Sequence, residues 1–135
     1  MKDCLFCKIA NGTAPCYKIY EDKDTLAFLD ISGDVYGHTL VIPKGHCTNL
    51  LDAEPKTLAL VMATAQKIAK HFVEKCGVDG VNIVVNNNSA AEQKIMHLHV
   101  HILPRVKDAN FSSIYADLPC SSFDFEHMQA KFGLK

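Results

Sequence analysis

The sequence predicts a single α+β domain, residues 1–135, built around an antiparallel sheet with one long helix. Short β-rich runs separated by turn residues predict the strands. One apolar stripe with three- and four-residue spacing predicts the helix. The length suits one hydrophobic core. A composition of 48% hydrophobic and 21% charged residues is typical of a globular protein.

Five runs are predicted as strands: Tyr17 to Tyr20, Thr25 to Leu29, Thr39 to Ile42, Val81 to Val85, and Met96 to Leu103. The charged residues 21–24 separate the first two and predict a hairpin. Pro43 is expected to end the third strand, since proline cannot donate to a ladder.

The long helix is predicted from Pro55 to about Cys76. Its apolar stripe comprises Leu58, Val61, Ala65, Ile68, Phe72 and Cys76. Asp52 is expected to be its N-cap and Gly77 its stop, with Pro55 in the first turn. A helical turn over residues 4–9 and a short helix from Phe125 to Phe132 complete the prediction.

The charge balance argues against nucleic-acid or membrane partners. Lys and Arg number 14 against 15 Asp and Glu, which leaves a net charge of −1. No run approaches the roughly 20 apolar residues that span a bilayer, and the N-terminus shows no signal-peptide pattern. A cytoplasmic protein with reduced thiols is therefore expected.

Three histidines alternate with apolar residues in the segment 97–103. In a strand, His97, His99 and His101 share one face, while Leu98 and Val100 face the core. Three interpretations arise: an exposed polar face, a metal site, or a nucleophilic imidazole flanked by groups that orient it. The strand alone does not separate the metal site from catalysis.

Polar residues upstream add to the pattern. Asn86 and Gln93 offer neutral donors that suit phosphate oxygens, and Asp30 offers an acceptor that suits ribose hydroxyls. Taken singly, each is better explained as a turn or capping residue than as a ligand.

Together, these motifs resemble the histidine triad (HIT) superfamily. Its His-φ-His-φ-His-φ-φ signature, with φ apolar, is matched throughout residues 97–103. Further motifs are similar to the Hint-type and bacterial HIT branch: Cys4-x-x-Cys7-Lys8-Ile9, Tyr20-Glu21-Asp22, residues 26–31, Gly37-His38 and residues 41–44.

The resemblance implies a nucleotidyl hydrolase or transferase acting on purine nucleoside phosphoramidates. His99 would attack the α-phosphorus to form a nucleotidyl-histidine, with His101 and His38 in the same pocket. It also implies a homodimer whose sheet continues across the interface. The implied nucleotide ligands are Asp30 for ribose, Asn86 and Gln93 for phosphate or leaving group, and Phe6, Ile9, Phe28 and Ile31 for the base.

The chain departs from the family where Gly-Gln-Ser usually precedes the triad; here it has Glu92-Gln93-Lys94. Lys94 either contacts the leaving group as a cation or is an exposed lysine without a role. After Arg105, residues such as Phe111, Ile114 and Tyr115 are similar to the Fhit branch, which cleaves dinucleoside polyphosphates.

The Cys4-x-x-Cys7 spacing is that of metal ligands. One such pair supplies only two ligands, and the resemblance implies His46 and His97 as the others, around a structural zinc. The alternative is a reduced thiol pair. The remaining cysteines, Cys16, Cys47, Cys76 and Cys120, are interpreted as small hydrophobic residues.

Four functions are thus weighed. The leading one is a phosphoramidate hydrolase. The others are a Fhit-like hydrolase, a nucleotide-binding regulatory protein with little turnover, and a zinc-stabilised scaffold. The scaffold would leave Asp30, His38, Asn86 and Gln93 unexplained.

Overall fold

The structure, a computed structural model, describes residues 3–32, 35–107 and 123–134. Within these ranges the elements are α1 (Leu5–Ala10), β1 (Lys18–Glu21), β2 (Thr25–Leu29), β3 (Thr39–Pro43), α2 (Pro55–Lys75), β4 (Gly80–Val84), a 3₁₀ helix (Ser89–Ala91), β5 (Val100–Arg105) and α3 (Phe125–Phe132).

The five strands form one antiparallel sheet in the order β1-β2-β3-β5-β4, which confirms the predicted α+β class and the first hairpin. Both faces of β2 and β3 are buried. One face, with Ala27 and Val41, packs in the main core with α2. The opposite face, with Phe28 and Leu40, packs against Phe6 of α1. The centre of the sheet is therefore covered on both sides, and the α1 side carries the site described below.

The long helix agrees with its predicted stripe, because Val61, Ile68 and Phe72 are buried in the core. Its C-cap is Cys76, and Gly77 follows at a φ of +74°, the left-handed conformation expected after a helix. The predicted N-cap is wrong.

The N-cap is Glu54, not Asp52. The carboxylate of Asp52 instead accepts hydrogen bonds from the backbone N–H groups of Thr48 and Asn49, both at 3.0 Å. It closes the preceding turn, and this removes it from the helix terminus.

The histidine segment is only partly a strand, which corrects the prediction of a strand from Met96. β5 begins at Val100 and pairs with β3 over three residues. Upstream of it, the N–H of Leu98 donates to the carbonyl of Cys47 at 2.8 Å, and the ring Nε2 of His97 donates to the carbonyl of Pro43 at 2.9 Å. Loop and side-chain hydrogen bonds thus replace the ladder. Leu98 is still buried in the core, as the alternation predicts.

The C-terminal helix α3 has the predicted bounds and packs Phe132 into the main core. No helix within the described ranges is long and apolar enough to cross a membrane. Cys120 and the Fhit-like residues Phe111, Ile114 and Tyr115 lie outside the described residues.

Gly37, directly before His38, packs closely against Phe132 of α3. Its φ is +82°, and a Cβ built there would lie 2.7 Å from the ring of Phe132. We expect Gly37→Ala to lower the free energy of unfolding by about 2–4 kcal/mol, because left-handed strain and overpacking act together.

Gly12→Ala is the matched control for chemical denaturation. Gly12 has a similar φ of +85° but nothing within 4 Å, so only the strain of about 1–2 kcal/mol applies. Equal losses in the two variants would contradict a close Gly37–Phe132 contact.

Candidate functional site

A cavity of about 420 Å³ opens on the α1 side of the sheet. Its lining combines two of the triad histidines with residues from both chain halves: Phe6, Asp30, Ser32, His38, Leu40, Asn86, Glu92, Lys94, Ile95, His99 and His101. The register of the sheet explains part of this list. Leu40 pairs directly with His101, so both side chains project on the α1 face.

His99 is held in a defined orientation. Its Nδ1–H donates to the backbone carbonyl of His97 at 2.7 Å, and this leaves the lone pair on Nε2. Phe6 packs edge-on against the ring at 5.2 Å between centroids. Burial lowers the pKa of His99 below its usual value, although the His97 carbonyl opposes this shift. The neutral imidazole, which is the nucleophilic form, is favoured near neutral pH.

A pair of hydrogen-bonded histidines lies beside His99. Nε2 of His38 and Nδ1 of His101 share a hydrogen bond at 2.9 Å. The carboxylate of Asp30 approaches Nε2 of His38 at 3.7 Å, and its other oxygen accepts from the N–H of Ser32 at 2.7 Å. The ring of His101 lies 4.9 Å from that of His99. The arrangement can hold or move a proton next to His99.

The cavity rim carries two charged residues at the positions where the resemblance to the histidine triad superfamily implies Gly and Ser. Glu92 and Lys94 both line the cavity, together with Asn86. Glu92 has a φ of +68° and a ψ of 25°, the left-handed conformation that glycine adopts most easily. The backbone therefore keeps a glycine-like conformation although the residue is glutamate.

Gln93 does not point to the cavity, which differs from its expected phosphate contact. Its Oε1 accepts from Asn49 Nδ2 at 3.0 Å and from the N–H of Asn88 at 2.8 Å. Its Nε2 donates to the carbonyls of Thr48 at 2.7 Å and Ile95 at 2.9 Å. These four bonds fill the capacity of the amide, so Gln93 ties two loops together instead.

The expected base slot is only partly assembled around the cavity. Phe6 lines it, and Phe28 supports Phe6 from behind at 5.4 Å between ring centroids. Ile9 is buried in the same apolar cluster without lining the cavity. Ile31 is 71% exposed and lies outside it.

Sequence reasoning missed four lining residues: Ser32, Leu40, Glu92 and Ile95. The strand register could have identified Leu40. Ser32, Glu92 and Ile95 depend on loop conformation, which carries no periodic signal.

The four predicted metal ligands come together on the other side of His97. The ligand atoms of Cys4, Cys7, His46 and His97 all lie within 4.8 Å of one another. Nδ1 of His97 lies 3.3 Å from Cys4 Sγ and 3.2 Å from Nδ1 of His46, which is 3.3 Å from Cys7 Sγ.

This geometry fits a tetrahedral zinc ion. Bonds of about 2.0–2.3 Å place tetrahedral ligands about 3.3–3.8 Å apart, close to the separations above. Two thiolates with two imidazoles form a donor set that zinc prefers. The bond from His97 Nε2 to the Pro43 carbonyl fixes the tautomer whose Nδ1 faces the cluster.

The electrostatics of these side chains follow from their burial. Burial lowers the pKa of His97 and raises that of the Cys7 thiol, where the neighbouring Cys4 adds to the shift. The lowered pKa of His97 favours the neutral ring that a metal ligand requires, although the hydrogen bond to the Pro43 carbonyl opposes this shift. A bound cation would favour the Cys7 thiolate instead of the thiol.

Comparison with known proteins agrees with the motifs. The HIT domain family matches residues 11–108. Adenylylsulfatase HINT3 of Arabidopsis thaliana is 43% identical over 103 residues, which cover 76% of this chain and 52% of the relative. The chain thus spans about half the length of that relative. Adenosine 5'-monophosphoramidase hnt1 of Schizosaccharomyces pombe is 37% identical over 102 residues, or 76% of this chain and 74% of the relative.

A solved structure is similar over nearly the whole chain. The zinc-bound histidine triad family protein from Mycobacterium smegmatis superposes with a TM-score of 0.84 at 39% identity, and the match covers 97% of this chain and 91% of that one. The family match, the identities and the shared fold together establish that this chain belongs to the histidine triad family.

Proposed function

We propose that the protein is a nucleotidyl hydrolase or transferase that cleaves purine nucleoside phosphoramidates through a covalent nucleotidyl group on His99. The observation that carries this proposal is the ring of His99, whose Nδ1–H is held by the His97 carbonyl while the ring lines a cavity of nucleotide-binding size. The names of two relatives, an adenylylsulfatase and an adenosine 5'-monophosphoramidase, support an adenylyl substrate.

The reaction would take two steps. In the first, Nε2 of His99 attacks the α-phosphorus, the P–N bond breaks, and the amine leaves after gaining a proton. We assign that proton to the hydrogen-bonded pair of His38 and His101. The His97 carbonyl stabilises the positive charge that develops on the ring.

In the second step, water attacks the same phosphorus. The bond to Nε2 breaks, which releases the nucleoside monophosphate and neutral His99. The water gives its proton to the His38–His101 pair, so the starting protonation state returns.

The nucleoside would lie against the apolar end of the cavity. Phe6 and Leu40 offer a surface for the base, and Asp30 at the cavity edge offers an acceptor for ribose hydroxyls. Asn86 and Lys94 would face the phosphate or the leaving group.

Zinc on Cys4, Cys7, His46 and His97 would be structural, because four protein ligands leave no position for a substrate or water. When bound, the ion would cross-link the α1 segment, through Cys4 and Cys7, to the segment that precedes β5, through His97.

We also propose a homodimer, a single domain over residues 1–135, and a cytoplasmic location. The sheet ends at β4, and Ile83 on this edge strand is 40% exposed. A second copy that continues the sheet would cover such an edge.

A second candidate function is the cleavage of dinucleoside polyphosphates. Lys94 lines the cavity, and its ammonium group would attract the negative charge of a phosphate leaving group. Glu92 on the same rim would oppose this attraction. The balance between these two charges decides which leaving group is favoured.

His99→Ala tests the nucleophile. We expect turnover of adenosine phosphoramidate to fall about a thousandfold or more, with nucleotide binding largely retained, because the covalent route is removed. Mass spectrometry of the wild-type protein quenched during turnover is expected to find the nucleotide on His99.

His127→Ala, at an exposed histidine of α3, is the matched control and is expected to keep wild-type turnover. Near-normal turnover in His99→Ala would rule out this mechanism. An inactive wild-type protein that still binds nucleotide would favour the regulatory alternative.

Lys94→Ser tests leaving-group preference. We expect the ratio of kcat/KM for adenosine phosphoramidate to that for a diadenosine polyphosphate to rise, by less than tenfold, because an exposed charge contributes only about 0–1 kcal/mol. Glu92→Gln is expected to change the ratio in the opposite direction.

Lys70→Ser on the exposed face of α2 controls for a general loss of positive charge. A ratio that is the same in wild type and Lys94→Ser would identify Lys94 as a solvated surface residue.

Elemental analysis tests the metal. Protein purified without chelator is expected to contain about one zinc ion per chain. Cys4→Ser is expected to lose most of the zinc and to lower the Tm by about 5 °C or more, since a domain of this size loses several degrees per kcal/mol.

Cys16→Ser is the control, because Cys16 is also half-buried but lies outside the cluster. If the wild-type protein contains no zinc and has the same Tm as Cys4→Ser, the zinc site is ruled out, and Cys4 and Cys7 are a reduced thiol pair.

A further inference from the structure

The metal cluster and the cavity share a wall. Phe6 lies on α1 between the two cysteine ligands, and its ring lines the cavity. The same ring packs edge-on against His97 at 6.0 Å and against His99 at 5.2 Å. One aromatic side chain thus contacts a predicted metal ligand, the predicted nucleophile and the space where substrate would bind.

A second connection runs through the backbone of His97. Its side chain faces the cluster through Nδ1, while its carbonyl oxygen accepts the hydrogen bond that orients His99. The Pro43 carbonyl holds the opposite side of the ring. A shift of His97 that accompanies loss of the ion would therefore move the acceptor on which the orientation of His99 depends.

The helix that carries Phe6 has little stability of its own. α1 comprises six residues, and an isolated helix of this length is unstable in water. Its N-cap is a cluster residue, since Cys4 Sγ accepts from the N–H of Cys7 at 3.3 Å. Its other anchors are the apolar contacts of Phe6 and Ile9. Ligation of Cys4 and Cys7 would thus fix both ends of the segment that holds Phe6.

We propose that the Cys4–Cys7–His46–His97 cluster acts as a positioning device for the nucleotide site, so that metal and nucleotide each strengthen the binding of the other. Phe6 and the His97 carbonyl transmit the coupling, and both are positioning groups in this respect. The inference rests on the proposed function, because it requires that the cavity bind a nucleotide.

Coupling between two sites is reciprocal at equilibrium. If zinc tightens nucleotide binding by some factor, nucleotide tightens zinc binding by the same factor, which for coupled sites is about 5–150-fold. Neither quantity requires turnover.

The experiment measures zinc affinity by competition with a chromophoric chelator, with and without saturating adenosine monophosphate. We expect the nucleotide to lower the zinc Kd at least about fivefold. Calorimetric titration of the zinc-loaded and the zinc-stripped protein is expected to give Kd values for adenosine monophosphate that differ by a similar factor.

Phe6→Leu keeps all four ligands while removing the ring. We expect it to bind zinc and to lose most of the effect of nucleotide on zinc affinity. Leu5→Ala is the matched control, because Leu5 lies on the same helix, is 47% exposed and does not line the cavity. It is expected to keep the full effect.

If Phe6→Leu binds nucleotide too weakly to measure, Cys7→Ser tests the coupling between the two sites instead. Cys7 does not line the cavity, so weaker nucleotide binding in this variant, but not in Cys16→Ser, supports the coupling. Equal zinc affinity with and without nucleotide in the wild type overturns this inference alone. Failure of the zinc-loaded wild type to bind adenosine monophosphate overturns the proposed function and this inference together.

Discussion

The hydrogen bond from His99 Nδ1 to the His97 carbonyl, 2.7 Å long, is the interaction on which the site depends. The carbonyl that accepts it lies just outside the sheet ladder, because β5 begins at Val100. Upstream of Val100, side-chain and loop bonds hold His97 and Leu98 in place. The position of the acceptor that orients the proposed nucleophile thus depends on these bonds.

That irregular stretch is stabilised by a saturated polar network. The amide of Gln93 makes four hydrogen bonds, and the buried Asn49 bridges it to Asn88. A buried amide left unpaired would cost about 1–3 kcal/mol for each lost partner, which favours one loop arrangement over others. The loop before α2, which also carries His46, and the loop before β5 are therefore fixed relative to each other.

The regular elements could be predicted from the sequence, but the uses of single polar residues in loops and caps could not. The α2 stripe and the first hairpin depend on periodicity, which local sequence records. Asp52 has the side chain of an N-cap but bonds to the turn before it, and no sequence signal separates these two uses. Gln93 presents a related ambiguity, because an amide that binds phosphate and one that bridges loops look alike in sequence. The exposure of Ile31, which was expected beside the base, follows from the loop after β2 and has no periodic signal in the sequence.

Glu92 shows how the chain can change chemistry without changing shape. A left-handed backbone costs a residue with a Cβ about 1–2 kcal/mol, and glycine avoids this cost. Strain of this kind persists where the surroundings impose the conformation, and here Gln93 and Asn88 hold the loop on either side. The conformation follows from the network and not from residue 92 itself. The side chain of Glu92 can therefore take the place of a glycine hydrogen at the cavity rim without a change of backbone conformation. It adds a negative charge to the rim that carries Lys94, in the cavity that His99 also lines.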